Sequence, residues 1–362
     1  MSWIKVVTIN LVVLFAIIFF LELFAGLFRI FLGSHFIFPH IIDSNPCEEM
    51  KTDVLLNHVP NHPENCKIKD GYVDGEYVRY NIGDLSKPVI LSLGGSTTSG
   101  FFQEAASGDT YPKYLSQLLA SEYQILNGGV AGYSSLQELF KVIRDAPRIK
   151  NLHTVVSLNG INDIPNYHGL NEIRKTDYPF LSSLQAHMNY HQTWIDQRKG
   201  AKLYSIFPNI TSFIRYLAAD VFDESNKTNF TLNNPIILDA GDRWELNIRR
   251  MHAVLQTHGV RYFVFLQPTM GLKGLQSSPK KGSKDEEVFK LLSDSDIQEI
   301  RRLYAELRES CLNLSYCFDI SNKVTPSGNN YSDPRHHNSE GNRLLAQIIA
   351  DKIHEQDLNI SH

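Results

Sequence analysis

The chain has 362 residues, 43% of them hydrophobic and 20% charged. That is the balance of an ordinary globular protein long enough for one large core, and it excludes a disordered chain. A net charge of −4 supplies no basic field, so nucleic acid is not an expected partner.

The N-terminus departs from that average. From Val6 to Phe28 only Thr8, Asn10 and Glu22 interrupt an apolar run. About 22 helical residues span roughly 33 Å, the thickness of a bilayer core. Residues 1–33 are therefore expected to be an uncleaved, single-pass transmembrane anchor. A cleaved signal peptide would end in a small-x-small site, which Phe24 spoils before Ala25-Gly26. A buried core helix is the other alternative, but Leu11 to Leu21 is apolar all round, which suits lipid better. Glu22 and Arg29 lie two turns apart on one helical face and are placed to pair, or Arg29 reaches the headgroups.

Residues 34–86 read as a stalk or small cap. Pro39, Pro46, Pro60, Pro63, Gly71, Gly75 and Gly83 exclude long helices there. His58, His62 and Cys66 recur every fourth residue, but Pro60 and Pro63 break the helix that would let them hold zinc. No metal or cofactor is expected. The four cysteines all follow the apolar segment. Paired as Cys47 with Cys66 and Cys311 with Cys317, they suit an oxidising compartment, hence a domain outside the cytosol. Four free thiols are the alternative. Sequons such as those at Asn209 and Asn226 permit glycosylation where the host can perform it.

From residue 87 to about 357 strands and helices alternate. Strands are expected at 89–93, 123–126, 153–158, 260–266 and 314–320. Helices are expected at 111–119, 134–149, 243–257, 295–310 and 339–355. This order implies an α/β fold, a three-layer α/β/α sandwich around a mainly parallel, five-stranded sheet. Between about 164 and 240 the alternation fails. Tyr167, Tyr178, Phe180, Tyr190, Trp194, Tyr204 and Phe207 are scattered through this insertion. They would line a carbohydrate or acyl groove, or pack a small core of their own. Residues 272–286 are charged and glycine-bearing and read as a mobile loop.

Four short motifs fall at predicted strand ends. They are Gly94-Gly95-Ser96-Thr97-Thr98, Asn127-Gly128-Gly129-Val130-Ala131-Gly132, Gly160-Ile161-Asn162-Asp163 and Asp333-Pro334-Arg335-His336. Each alone is a common turn or cap. Together they supply what acyl transfer from an ester requires. Ser96 would attack the carbonyl, His336 would move the proton, and Asp333 would hold the imidazole in its working tautomer. The backbone amides of Ser96 and Gly129 and the side-chain amide of Asn162 would form the oxyanion hole. Other glycine-loop chemistries fail on detail. After Gly100 come Phe101 and Phe102 where a phosphate loop needs Lys-Ser/Thr, and Thr98 stands where a nucleophile elbow needs glycine.

The four blocks, in this order, resemble the SGNH (GDSL-like) hydrolase superfamily over roughly residues 86–355. The resemblance implies a flavodoxin-like fold and a serine esterase or acyltransferase. Two positions depart from the family pattern. Gly95 stands where the family often has aspartate, as in some membrane-anchored bacterial members, and His337 stands where proline commonly follows the histidine. Spacing from Asp333 selects His336 over His337. The expected function is hydrolysis of an O-acyl ester, an O-acetyl ester of a carbohydrate or other envelope molecule. The alternatives are O-acyl transfer to envelope polysaccharide, lipid-ester hydrolysis, and a non-catalytic assembly module on the same fold.

Overall fold

The computed structural model describes residues 3–31, 50–53, 56–60, 70–80, 84, 86–100, 109–163, 209–210, 240–272 and 283–360. Cys47, Cys66, His62, nearly all of the insertion at 164–240 and the stretch 273–282 lie outside them, as does the side chain of His58. The chain forms two compact units. One comprises Met1–Ser44 and Asn189–Asn233, the other Asn45–Met188 and Asn234–His362.

In the first unit, α1 runs from Trp3 to Phe31. Side chains are described for position 10 and positions 13–28. Phe15, Phe19, Phe20, Phe24 and Leu27 are exposed, whereas Glu22 and Ala25 are buried. Among the described residues no helix is long and apolar enough to cross a membrane. The side chain of Arg29, one partner expected for Glu22, lies outside the described residues. The Glu22 carboxylate accepts from the backbone N–H groups of Asn209 (2.8 Å) and Ile210 (2.9 Å) and from Asn209 Nδ2 (2.8 Å). Three donors satisfy a carboxylate that an apolar helix could not otherwise bury. The same contact engages the Asn209 side-chain amide, which is buried.

The second unit is built on a sheet. Two hairpins come first: β1 (Met50–Asp53) with β2 (Asn57–Pro60), and β3 (Gly71–Asp74) with β4 (Tyr77–Tyr80). The parallel set is β5 (Val89–Gly94), β6 (Gln124–Asn127), β7 (Leu152–Asn159), β8 (Arg261–Leu266) and β9 (Cys317–Asp319). The expected sheet of five strands is a sheet of seven, ordered β3-β4-β6-β5-β7-β8-β9, with β3 and β4 antiparallel at one edge. Residues 71–80 fall in the segment expected to be a stalk or small cap. Half-buried along both strands, they instead extend the sheet.

Within the parallel set the order is second-first-third-fourth-fifth, that of flavodoxin-like doubly wound sheets. The chain reverses direction of addition between β5 and β7, and ligands of such sheets bind at the carboxyl ends of strands beside that point. Along β5, Val89, Leu91 and Leu93 enter one core and Ile90 the other, the period-two alternation of a strand covered on both faces. The first core is closed by α4 (Ser135–Asp145), α5 (Ala240–Thr257) and α7 (Asp294–Leu312) through Val142, Trp244, Met251 and Leu307. The second is closed by α3 (Tyr111–Leu118) and α8 (Ser339–Ile360) through Leu115, Leu345 and Ile349. The helix expected over 134–149 stops at Asp145, and the strand expected over 314–320 shrinks to three residues. The expected loop at 272–286 is helical at its end: Ser283 accepts from Glu286 N and starts α6 (Lys284–Phe289). Cys311 and Cys317 form a disulfide that joins the end of α7 to β9.

Candidate active site

Ser96 opens a one-turn helix, α2 (Ser96–Ser99), directly after β5. Both preceding glycines are required by space. Gly94 has φ +147°, and a Cβ there would lie 2.1 Å from Thr98 Oγ1. A Cβ at Gly95 would lie 2.2 Å from Asn162 Nδ2. A side chain at position 95 would therefore have to push the Asn162 amide aside. Gly100 closes the turn in the left-handed region, its N–H donating to Ser96 O at 2.8 Å.

His336 reaches this turn from 240 positions downstream. Ser96 Oγ lies 2.6 Å from His336 Nε2. On its other side, His336 Nδ1 lies 2.6 Å from Asp333 Oδ2. A carboxylate only accepts, so the ring proton sits on Nδ1 and Nε2 receives the serine hydroxyl. The remaining oxygen, Asp333 Oδ1, accepts from the backbone N–H groups of Arg335 (2.8 Å) and His336 (3.0 Å). Partial burial pushes the Asp333 carboxyl up, but the bond from His336 and the two backbone donors outweigh it and hold the group below its ordinary range. The side chain of His336 is 12% exposed, sheltered yet reachable.

His337 is elsewhere. It is fully buried and its ring lies 4.4 Å from that of Tyr331. Burial, with the charge of His336 adding to it, depresses its pKa to about 3, so it stays neutral.

Asn162 occupies a 3₁₀ turn, Ile161–Asp163, just after β7. Its Nδ2 donates one hydrogen to Tyr133 O at 2.9 Å. The turn is fixed from below, where Ser135 donates its hydroxyl (2.6 Å) and its backbone N–H (3.3 Å) to Asp163. Further polar groups underlie it. Glu138 accepts from Asn159 Nδ2 at 3.2 Å, and Asn159 Oδ1 accepts from Trp244 Nε1 at 2.8 Å.

Gly129 requires a correction. Its N–H donates to Asn127 Oδ1 at 3.0 Å, so it is committed within its own loop. It is glycine because a Cβ would meet Ser99 N and Thr98 Cβ at 2.6 Å. Sequence reasoning passed over Gly132, three residues on. Gly132 has φ +79°, a Cβ there would meet nothing within 4 Å, and no acceptor among the described residues takes its N–H. It immediately precedes Tyr133, whose carbonyl holds Asn162. The signal available in the sequence was the third glycine of Gly128-Gly129-Val130-Ala131-Gly132, which pattern alone could not rank above the second.

No model of a known protein family matches the chain, and no curated protein matches it. Solved structures that it resembles include an acetyl xylan esterase, AlAXEase (TM-score 0.40, 13% identity, 73% of this chain and 99% of that one). A carbohydrate acetylesterase family member from Sinorhizobium meliloti gives TM-score 0.41 and 14% identity over 74% of this chain and 97% of that one. A catalytic mutant of an acetylxylan esterase from Geobacillus stearothermophilus gives 0.38 and 14% over 74% and 94%.

Proposed function

We propose that the chain is a serine esterase of the SGNH type that cleaves an O-acyl ester, with an O-acetylated carbohydrate as its substrate class. The observation that carries this reading is the continuous path from Ser96 Oγ through the His336 ring to Asp333, 2.6 Å at each step. Ser96 Oγ attacks the acyl carbonyl while His336 Nε2 takes its proton, and Asp333 stabilises the resulting imidazolium. The carbonyl oxygen becomes an oxyanion, met by Ser96 N–H, Gly132 N–H and the second hydrogen of Asn162 Nδ2. Collapse breaks the ester C–O bond, and the departing alcohol receives the proton from His336. Water, deprotonated by the same imidazole, then hydrolyses the acyl-enzyme and restores Ser96.

The same proposal puts the chain at a membrane through α1, with the sheet-bearing unit outside the cytosol. The exposed aromatic and aliphatic side chains of α1 and the Cys311–Cys317 disulfide support it. Membrane fractionation, followed by protease protection of spheroplasts or microsomes, tests this part.

Aryl esters of two to twelve carbons and an O-acetylated xylo-oligosaccharide, offered to wild type and Ser96→Ala, test the chemistry. The reading expects turnover by wild type, greatest on acetyl, and none above background by the variant. Equal rates from the two proteins would end it.

A further inference from the structure

Ser96 and His336 sit on separate loops, and their contact is only as good as the relative position of those loops. Thr97 Oγ1, on the serine turn, donates directly to Arg335 O at 3.4 Å, and one buried side chain from outside the two loops bonds to both. Gln267 follows the last residue of β8 and is 3% exposed. Its Nε2 donates to Thr97 Oγ1 at 2.9 Å, on the residue after Ser96, and to Arg335 O at 3.0 Å, on the residue before His336. The orientation of this amide is decided by its partners, since the Arg335 carbonyl can only accept.

Gln267 is itself immobilised. Its backbone N–H donates to Asn159 O at 2.9 Å, and its carbonyl accepts from Tyr304 Oη at 2.7 Å. The neighbouring residues hold the histidine loop from the same strand end. Met270 N and Thr269 Oγ1 both donate to Pro334 O, at 2.9 and 3.0 Å. These last two reach only that loop, whereas Gln267 crosses to the serine turn as well.

We propose that Gln267 is a positioning residue that sets the Ser96–His336 separation by tying the two loops to the end of β8. The inference rests on the triad reading above and adds a residue that touches none of the reacting atoms. Misplacing reacting groups by about 1 Å can slow a reaction roughly a hundredfold without altering how substrate binds.

The experiment compares wild type, Gln267→Met, Thr97→Val and the double variant with an aryl acetate, reading kcat, KM and melting temperature. Methionine keeps the length and volume but removes both donors. For Gln267→Met, kcat should fall about ten- to a hundredfold while KM stays within about twofold. Thr97→Val should lose less, and the double variant should lose less than the product of the two single losses, because the Gln267–Thr97 bond is broken by both changes while the bond from Thr97 Oγ1 to Arg335 O (3.4 Å) is broken by Thr97→Val alone. A lowered melting temperature with kcat per folded molecule within about twofold of wild type would make Gln267 a packing residue and overturn the proposal. Losses that simply multiply in the double variant would also overturn it. If wild type and Ser96→Ala are equally inert, the triad reading fails and the proposal falls with it, an outcome distinct from either of those.

Discussion

Two polar clusters in the sheet-bearing unit look alike in composition and differ in what they leave undone. The first surrounds α4. Lys141, with no exposed side-chain surface, faces Asp145 at 3.3 Å and Glu76 at 3.6 Å, and lies 4.3 Å from the centre of the Tyr77 ring. Arg144 binds Glu76 (2.5 Å), Asp145 (2.6 Å) and Asp53 (3.8 Å), and Tyr77 donates to Asp145. Each charge is answered by an opposite one. Burial lowers the Lys141 pKa against the pull of Asp145 and Glu76, and Asp145 is held low by its cations despite its own burial. This cluster fastens the two N-terminal hairpins to α4. The second cluster is on the loops that follow β5, β6 and β7. There a hydroxyl rests on an imidazole, and two backbone N–H groups, those of Ser96 and Gly132, have no acceptor among the described residues. A dense group of charges that neutralise one another is structural. A small set of groups with donors left over beside a hydroxyl held on an imidazole is the arrangement that the proposed chemistry would use.

That contrast is broken most sharply at Lys141. Lys141→Met leaves Asp145 and Glu76 short of a buried cation. The expected loss is roughly 3–5 kcal/mol of folding stability, read from urea unfolding, with kcat per folded molecule unchanged. A fall in kcat without a fall in stability would reverse the assignment of the two clusters. Asn162→Ala should do the opposite. It should lower kcat about a hundredfold, equivalent to about 3 kcal/mol, with a melting temperature near that of wild type.

Glu138 belongs to neither cluster and sharpens the distinction by pH. Burial raises its pKa from 4.5 to about 8, although Ser157 and Asn159 pull it down in part. Between those values the folded state holds a proton that the unfolded state has released. Stability from this group is complete below pH 4.5 and is lost as pH rises towards 8, at roughly 1.4 kcal/mol per unit. Glu138→Gln should remove that slope, so its urea midpoint should gain on wild type between pH 5 and pH 8. Parallel curves would show that Glu138 is ionised in the folded protein.

Much of the sheet could be read directly because its strands are covered on both faces. Val89 to Leu93 is an unbroken run with turn residues at each end, and both cores claim it. The hairpin at 71–80 could not be read that way. Its strands are short and half-buried, and they join the sheet through pairing with β6 that no local pattern announces. At the site, Ser96, Asp333, His336 and Asn162 were legible because their residue types are tied to one chemistry. The choice between Gly129 and Gly132 was not, because it depends on where each N–H points and on Asn127 closing over the first. Gln267 gave no signal at all. Its partners lie 170 and 68 positions away, and a glutamine before a proline resembles any strand end.

In the proposed reaction one hydroxyl, that of Ser96, is made nucleophilic by one imidazole. A fluorophosphonate added to the folded protein, followed by peptide mass mapping, tests it most directly. A single adduct is expected, on Ser96, with strongly slowed labelling in His336→Ala at unchanged melting temperature. Labelling at another serine, or an unlabelled Ser96 in correctly folded wild type, would contradict it.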